Sequence, residues 1–246
     1  MKSLGRIALP PIEEWDQKPI PFEGWKPSWN KLRGFYDKFD ICLQECAVKN
    51  GDIYEFGCWR GDSLKAIYLA VHNRNAEFKN VHVFDSFVGL PDETPGLYKI
   101  GPWHKGAFNS QEWFKCTDNK KIKEIIAEGS GFDTINFTEG FYCDTLNKET
   151  YDNNEFNPAM IVHIDVDLHK SCLEVLDFLF QFKIIAKGTI IAYDDFGGIP
   201  NFDSGEDLYG EKLAHLEMCV KYDVEYEVIK QEKRGIIKIL DYRGCP

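Results

Sequence analysis

The chain has 246 residues, 43% hydrophobic and 14% aromatic, which is enough apolar material for a substantial core and argues against disorder as its overall state. A formal net charge of −11, with no basic block to reverse it locally, argues against general binding to nucleic acid or an anionic membrane surface. No stretch approaches the ~20 apolar residues that span a bilayer, and the start lacks the apolar run of a signal peptide, so the cytoplasm is the expected compartment.

Residues 1–27 are rich in proline and tryptophan without a period and read as an irregular arm. Over 28–49, Leu32, Phe35, Phe39, Cys42, Leu43 and Cys46 recur at helical spacing, which predicts an amphipathic helix covering the core or lining a site entrance. Strand and helix then alternate. Residues 52–57 (DIYEFG) form a short apolar strand, 63–71 a helix, and 81–87 (VHVFDSF) a second strand. Residues 88–108 form a loop with Pro91, Pro95, Gly96, Gly101, Pro102 and Gly106, long enough to be functional, and its mix of glycine, proline and aromatic residues suits a lid.

A helix over 120–128 stops at Gly129, and strands follow over 134–140 and 160–167, the latter apolar until its acids, as in a central parallel strand. A helix over 171–182, a strand over 188–195 and a helix over 206–220 come next. Residues 224–230 and 235–241 close the chain as a strand pair with four residues between them, too few for a parallel crossover, so they are antiparallel. The alternation predicts a doubly wound, mostly parallel seven-stranded α/β sheet whose last strand is antiparallel. The arm and helix of 1–50 are expected to share one domain with 51–246. Eight cysteines include no CxxC pair, which disfavours a zinc knuckle and leaves reduced core thiols.

Ligands of open α/β sheets bind at the carboxyl ends of the strands. The first predicted strand ends in Glu55 and Gly57 and leads into Trp59, Arg60 and Gly61; its glycines allow close backbone approach to a ligand, although the turn is not GxGxxG. Asp85 and Ser86 end the second strand, where a carboxylate can accept the ribose hydroxyls of a nucleoside. Glu139 and Gly140 end the third. Asp165, Asp167, Asp194 and Asp195 fall on the ends of the fourth and fifth, where hard oxygens select Mg²⁺, Mn²⁺ or Ca²⁺. Asp167 and Asp195 also suit helix N-caps. Among the histidines, His163 reads as a satisfied core residue, His169 lies just past the acids where a base could act, and His104 sits in the long loop.

Together YEFGCWRGDS (54–63), VFDSFVGLP (83–91), GFYCDTL (140–146), HIDVDLHKS (163–171) and GTIIAYDDF (188–196) resemble the macrocin O-methyltransferase family of sugar-modifying enzymes, in order and approximate spacing. The resemblance implies a class I methyltransferase, Rossmann-like fold. It also implies an S-adenosylmethionine site at Glu55, Gly57, Trp59, Gly61, Asp85, Ser86 and Gly140, and a metal, Mg²⁺ or Mn²⁺, on Asp165, Asp194 and Asp195. The family usually has glycine at the position of Val166 and tyrosine at those of His169 and Phe196, changes that border the acceptor site. Related enzymes often form oligomers.

The expected reaction is metal-assisted transfer of a methyl group to a hydroxyl of a small polar acceptor, a sugar or a sugar-containing metabolite, with Asp165 or His169 as base. A non-sugar acceptor is the nearest alternative. A glycosyltransferase using DVD as its metal motif leaves YEFGCWRG and the second aspartate pair unexplained. In a phosphohydrolase the nucleophilic aspartate would follow the first strand. A partner-binding domain has no need of clustered acids.

Overall fold

The computed structural model describes residues 29–93, 103–196, 210–231 and 234–243. Its elements, in chain order, are α1 (Trp29–Glu45), β1 (Asp52–Phe56), α2 (Asp62–Arg74), β2 (Val81–Asp85), α3 (Ser110–Phe114), α4 (Asn119–Ser130), β3 (Asn136–Glu139), α5 (Tyr142–Thr145), α6 (Lys148–Asn153), β4 (Ala159–Ile164), α7 (His169–Gln181), β5 (Ile190–Tyr193), α8 (Gly210–Tyr222), β6 (Val224–Gln231) and β7 (Gly235–Tyr242). The seven strands form one sheet in the order β3-β2-β1-β4-β5-β7-β6. All neighbours up to β5 run parallel, and β7 is antiparallel to both β5 and β6. The arm of 1–27 lies outside the described residues. No described helix is long and apolar enough to cross a membrane.

Every residue of β1, β4 and β5 is buried, because helices cover both faces of the sheet. Alternate side chains feed two cores: Ile53, Ile161 and Ile190 pack toward α1, α2 and α4, while Tyr54, Val162 and Ile191 pack toward α7 and α8. Each such side chain contributes roughly 1.5–3 kcal/mol by leaving water. Helix α1 is the amphipathic helix expected from its spacing, and its Leu32, Phe35, Phe39 and Cys42 are all core residues. Seven cysteines are free and five of them buried, as expected of core thiols, among the described residues.

The strands end earlier than their apolar runs. β2 stops at Asp85 because the Asp85 carboxylate accepts the N–H of Phe87 (2.7 Å), which enters the left-handed region at φ 59°. β4 stops at Ile164 because Asp165–Asp167 form a turn in which Asp167 is also left-handed, at φ 59°. Short helices α3, α5 and α6 were not evident from apolar periodicity. Two carry a local signal: Asn109 accepts the N–H of Glu112, and Asn147 that of Thr150.

Helix α4 runs past Gly129, the expected stop, and ends at Gly131, whose φ of 96° supplies the left-handed cap. Gly129 sits inside the last turn, whereas a Cβ on Gly131 would lie 2.7 Å from the Tyr68 ring. Gly131→Ala should therefore lower the unfolding free energy by about 1–3 kcal/mol through strain and steric conflict. Urea denaturation would show it; a change under about 0.5 kcal/mol would mean that the ring yields without cost.

Candidate active site

The register of the sheet assembles the site. Phe84, Phe56, Ile164 and Tyr193 pair across β2, β1, β4 and β5, so the residues one step further, Asp85, Gly57, Asp165 and Asp194, form the next row. This row lies where the strand order reverses between β1 and β4, the place where doubly wound sheets open a crevice. Gly57 is indispensable to it, since at φ 80° a Cβ would fall 1.9 Å from the carbonyl oxygen of Asp165. A cavity of about 290 Å³ opens above the row, bounded by Gly57, Trp59, Asp85, Ser86 and Gly140 on one side and by Asp165, Asp167, Asp194 and Asp195 on the other.

Asp85 organises the first half. One oxygen accepts the backbone N–H groups of Cys58 (2.8 Å) and Trp59 (2.9 Å), and the other accepts that of Phe87. A carboxylate oxygen offers about two lone pairs, so the occupied Oδ2 is saturated and Oδ1 keeps room for one further donor. The Ser86 hydroxyl donates to the Gly89 carbonyl (2.9 Å), and the Gly140 N–H donates to the Asp85 carbonyl (3.1 Å). The buried Trp59 indole N–H meets no acceptor among the described residues, although its ring faces the cavity.

Two other residues expected here stand behind the wall. Gly61 is the left-handed N-cap of α2, at φ 85°. Glu55 is fully buried, accepts the Ser63 hydroxyl (2.5 Å) and pairs with His163 Nδ1 (3.0 Å). Burial first, against the Ser63 hydrogen bond, pushes its carboxyl up to about 8.

The acids occupy the second half. Oxygens of Asp165, Asp167 and Asp195 lie within 4.8 Å of one another, and Asp165 also joins His163 and Asp194 at that spacing. Burial, and then the neighbouring Asp194, Asp167 and Asp195, hold Asp165 well above the usual carboxylate range. Burial and then Asp195 do the same to Asp167. Burial pushes Asp194 up too, but Lys38 and Arg234 overcome it and hold the group at about 2. Both cations bind the same oxygen, Oδ1: Lys38 Nζ at 3.2 Å and Arg234 Nε at 2.8 Å. Asp167 caps no helix, since α7 takes Leu168 as its N-cap residue. Asp167 instead accepts the Trp103 indole N–H at 2.6 Å, bringing the long loop onto the acids. Residues 94–102 of that loop lie outside the described residues.

Lys38, Arg234 and Glu211 escaped sequence reasoning. Lys38 lies in the amphipathic stretch of α1 yet is buried, bonded to His163 Nε2 at 3.0 Å; Glu211 is fully buried on α8. Nothing in their local pattern marks them, because only tertiary packing brings them to the strand ends, Lys38 from α1, Glu211 from α8 and Arg234 from just before β7. His163 is the satisfied core histidine expected. His169 is not brought to the cavity: its Nε2 pairs with Glu217 of α8 at 2.8 Å. His104 bonds the neighbouring Lys105 carbonyl and also lies away from the cavity.

The family model described as Macrocin-O-methyltransferase (TylF) matches residues 34–214, well over half of the chain. The chain belongs to this family. It is an O-methyltransferase, and the glycosyltransferase reading of DVD falls away. A demethyldecarbamoylnovobiocin O-methyltransferase of Streptomyces niveus is 23% identical over 198 residues, 79% of this chain and 69% of that one. The crystal structure of the calicheamicin methyltransferase CalS11 matches with a TM-score of 0.62 at 17% identity, over 92% of this chain and 88% of the other. The O-methyltransferase NovP matches with a TM-score of 0.56 at 20% identity, over 87% and 80%. At such identities the structural matches establish the class I, Rossmann-like fold.

Asp85 ties the methyltransferase's first two strand ends together, so Asp85→Ala should destabilise the cofactor-free protein by about 2–4 kcal/mol by orphaning three N–H groups. Urea denaturation without ligand tests this. A variant as stable as the parent would leave Asp85 a ligand contact and nothing more.

Proposed function

We propose that this methyltransferase transfers the methyl group of S-adenosylmethionine to a hydroxyl of a small polar acceptor, a sugar or a sugar-containing metabolite, with Mg²⁺ or Mn²⁺ at the acids. The observation that carries the proposal is one cavity shared by the carboxyl ends of β1 and β2 and by the acids after β4 and β5. Family membership supports a sugar-modifying role.

The residues fit both ligands chemically. On the cofactor side, Gly57 presents bare backbone, Trp59 presents an unpaired buried donor, and Asp85 keeps one acceptor position on Oδ1. Ser86 and Gly140 complete that wall, while Glu55 and Gly61 shape it from behind. S-adenosylmethionine supplies an electrophilic methyl carbon on a sulfonium, and catalysis is chiefly a matter of alignment. On the other side, Asp165, Asp194 and Asp195 are hard oxygen donors of the kind that hold Mg²⁺ or Mn²⁺. A divalent ion there would lower the pKa of an acceptor hydroxyl and offset the crowded charge.

We assign the proton to Asp165, which belongs to both groups of donors and lines the cavity. His169, facing Glu217, is given no step. Trp103, hydrogen-bonded to Asp167, lines the same cavity.

Calorimetric titration separates the two halves. Asp194→Asn should weaken Mn²⁺ binding by about tenfold or more, because an amide is a neutral ligand, and leave S-adenosylhomocysteine affinity within about twofold. Chelator should abolish turnover of a verified acceptor, and Mg²⁺ should restore it. Full turnover in excess chelator would overturn the metal assignment, and failure to bind S-adenosylhomocysteine would overturn the cofactor site.

A further inference from the structure

One carboxylate outside the expected acid set touches both acid-bearing strand ends. Glu211, on the first turn of α8, is fully buried. Its Oε1 accepts the N–H of Val166 at 3.0 Å, and its Oε2 accepts the N–H of Asp195 at 3.0 Å. Val166 is the residue between Asp165 and Asp167, and the Asp195 N–H belongs to the peptide joining Asp194 to Asp195. A single planar group therefore spans the turn after β4 and the turn after β5.

Beyond Ile164 and Tyr193 the ladder between these strands has ended, and the Asp194 N–H makes its last bond back to the Ile164 carbonyl, at 3.0 Å. Past that bond, within the described residues, the two turns are joined only through side chains, among them the carboxyls of Asp167 and Asp195. Glu211 replaces the missing rungs with one hydrogen bond to each turn.

We propose that Glu211 is a positioning residue that fixes the separation of the β4 and β5 carboxylates, and with it the affinity of the site for a divalent cation. The inference rests on the metal reading above. It assigns Glu211 no contact with the cation; the residue acts through the backbone of Val166 and Asp195. A carboxyl group can do this because both of its oxygens accept. A glutamine in its place would turn an N–H₂ toward one of the two N–H groups, losing one bond and opposing two donors. An aspartate keeps the carboxyl group but is one methylene shorter and cannot reach both turns from the same helix position.

The test compares wild type, Glu211→Gln and Glu211→Asp as full-length protein. Mn²⁺ affinity is read by the loss of the free-ion electron paramagnetic resonance signal, S-adenosylhomocysteine affinity by calorimetry, and folding by thermal melts. Both variants should bind Mn²⁺ at least about tenfold more weakly than wild type, the usual cost of losing a group that orients metal ligands, while cofactor-product affinity stays within about twofold. Glu211→Asp binding Mn²⁺ as tightly as wild type would overturn the inference, since a carboxyl group without the two-turn reach would then suffice. Parallel loss of both affinities would also overturn it, showing a general structural strut. Should Glu211→Gln not fold, Glu211→Asp decides alone. A wild type that binds no Mn²⁺ sinks the metal reading and this inference with it, an outcome distinct from a wild type that binds and variants that bind equally.

Discussion

The structure turns on mutual repulsion between carboxylates that parallel pairing forces into one row. Once Phe56 pairs with Phe84 and Ile164, and Ile164 with Tyr193, the next residues stand side by side whatever their charge. Like charges a few ångströms apart, partly removed from water, cannot all remain ionised without compensation. The fold meets this demand differently at each position. Asp85 accepts three backbone N–H groups, and a lysine and an arginine hold Asp194 low. Asp165, Asp167 and Glu211 receive no such cation and hold protons more tightly, Glu211 in spite of two backbone N–H bonds.

That unequal treatment divides the cavity. Its Asp85 side is a backbone-lined cradle whose carboxylate is largely spent on shaping the turn. Its Asp165 side keeps donor oxygens in reserve. Helix α1 contributes to the second side more than cover: Lys38 runs under the sheet's edge to join Asp194 to His163, and through His163 to Glu55 below the first turn. A chain of buried polar contacts therefore links the two halves, ending on Glu55, whose Oε2 is buried without a partner among the described residues. Arg234, stacked on Phe35 at 4.3 Å, ties β7 to the same oxygen of Asp194. The last strand pair thus reaches the site although it carries none of the sequence motifs.

Most of the fold was legible because its signals are local. Each run of β-branched and aromatic residues marks a strand, the spacing of Leu32, Phe35, Phe39 and Cys42 marks α1, and the short gap before Gly235 makes the closing pair antiparallel. The short helices were hidden because one or two turns show no periodicity, and only Asn109 and Asn147 announced two of them. The end of α4 was misplaced by two residues because Gly129 and Gly131 look alike in sequence, and only the Tyr68 ring beside Gly131 distinguishes them.

By itself the chain determined which residue types end each strand, and hence that glycine, aspartate and serine would collect at one edge of a doubly wound sheet. That follows from strand periodicity and the direction of parallel crossovers, both short-range properties. Tertiary structure alone decided what each of those groups is free to do. It spent most of Asp85 on backbone, set Glu55 behind the wall, turned His169 toward Glu217, and brought Lys38, Arg234 and Glu211 to the acids from distant elements. The physical reason is that the protonation and hydrogen-bond capacity of a buried group depend on neighbours across packed layers, which sequence separation does not encode.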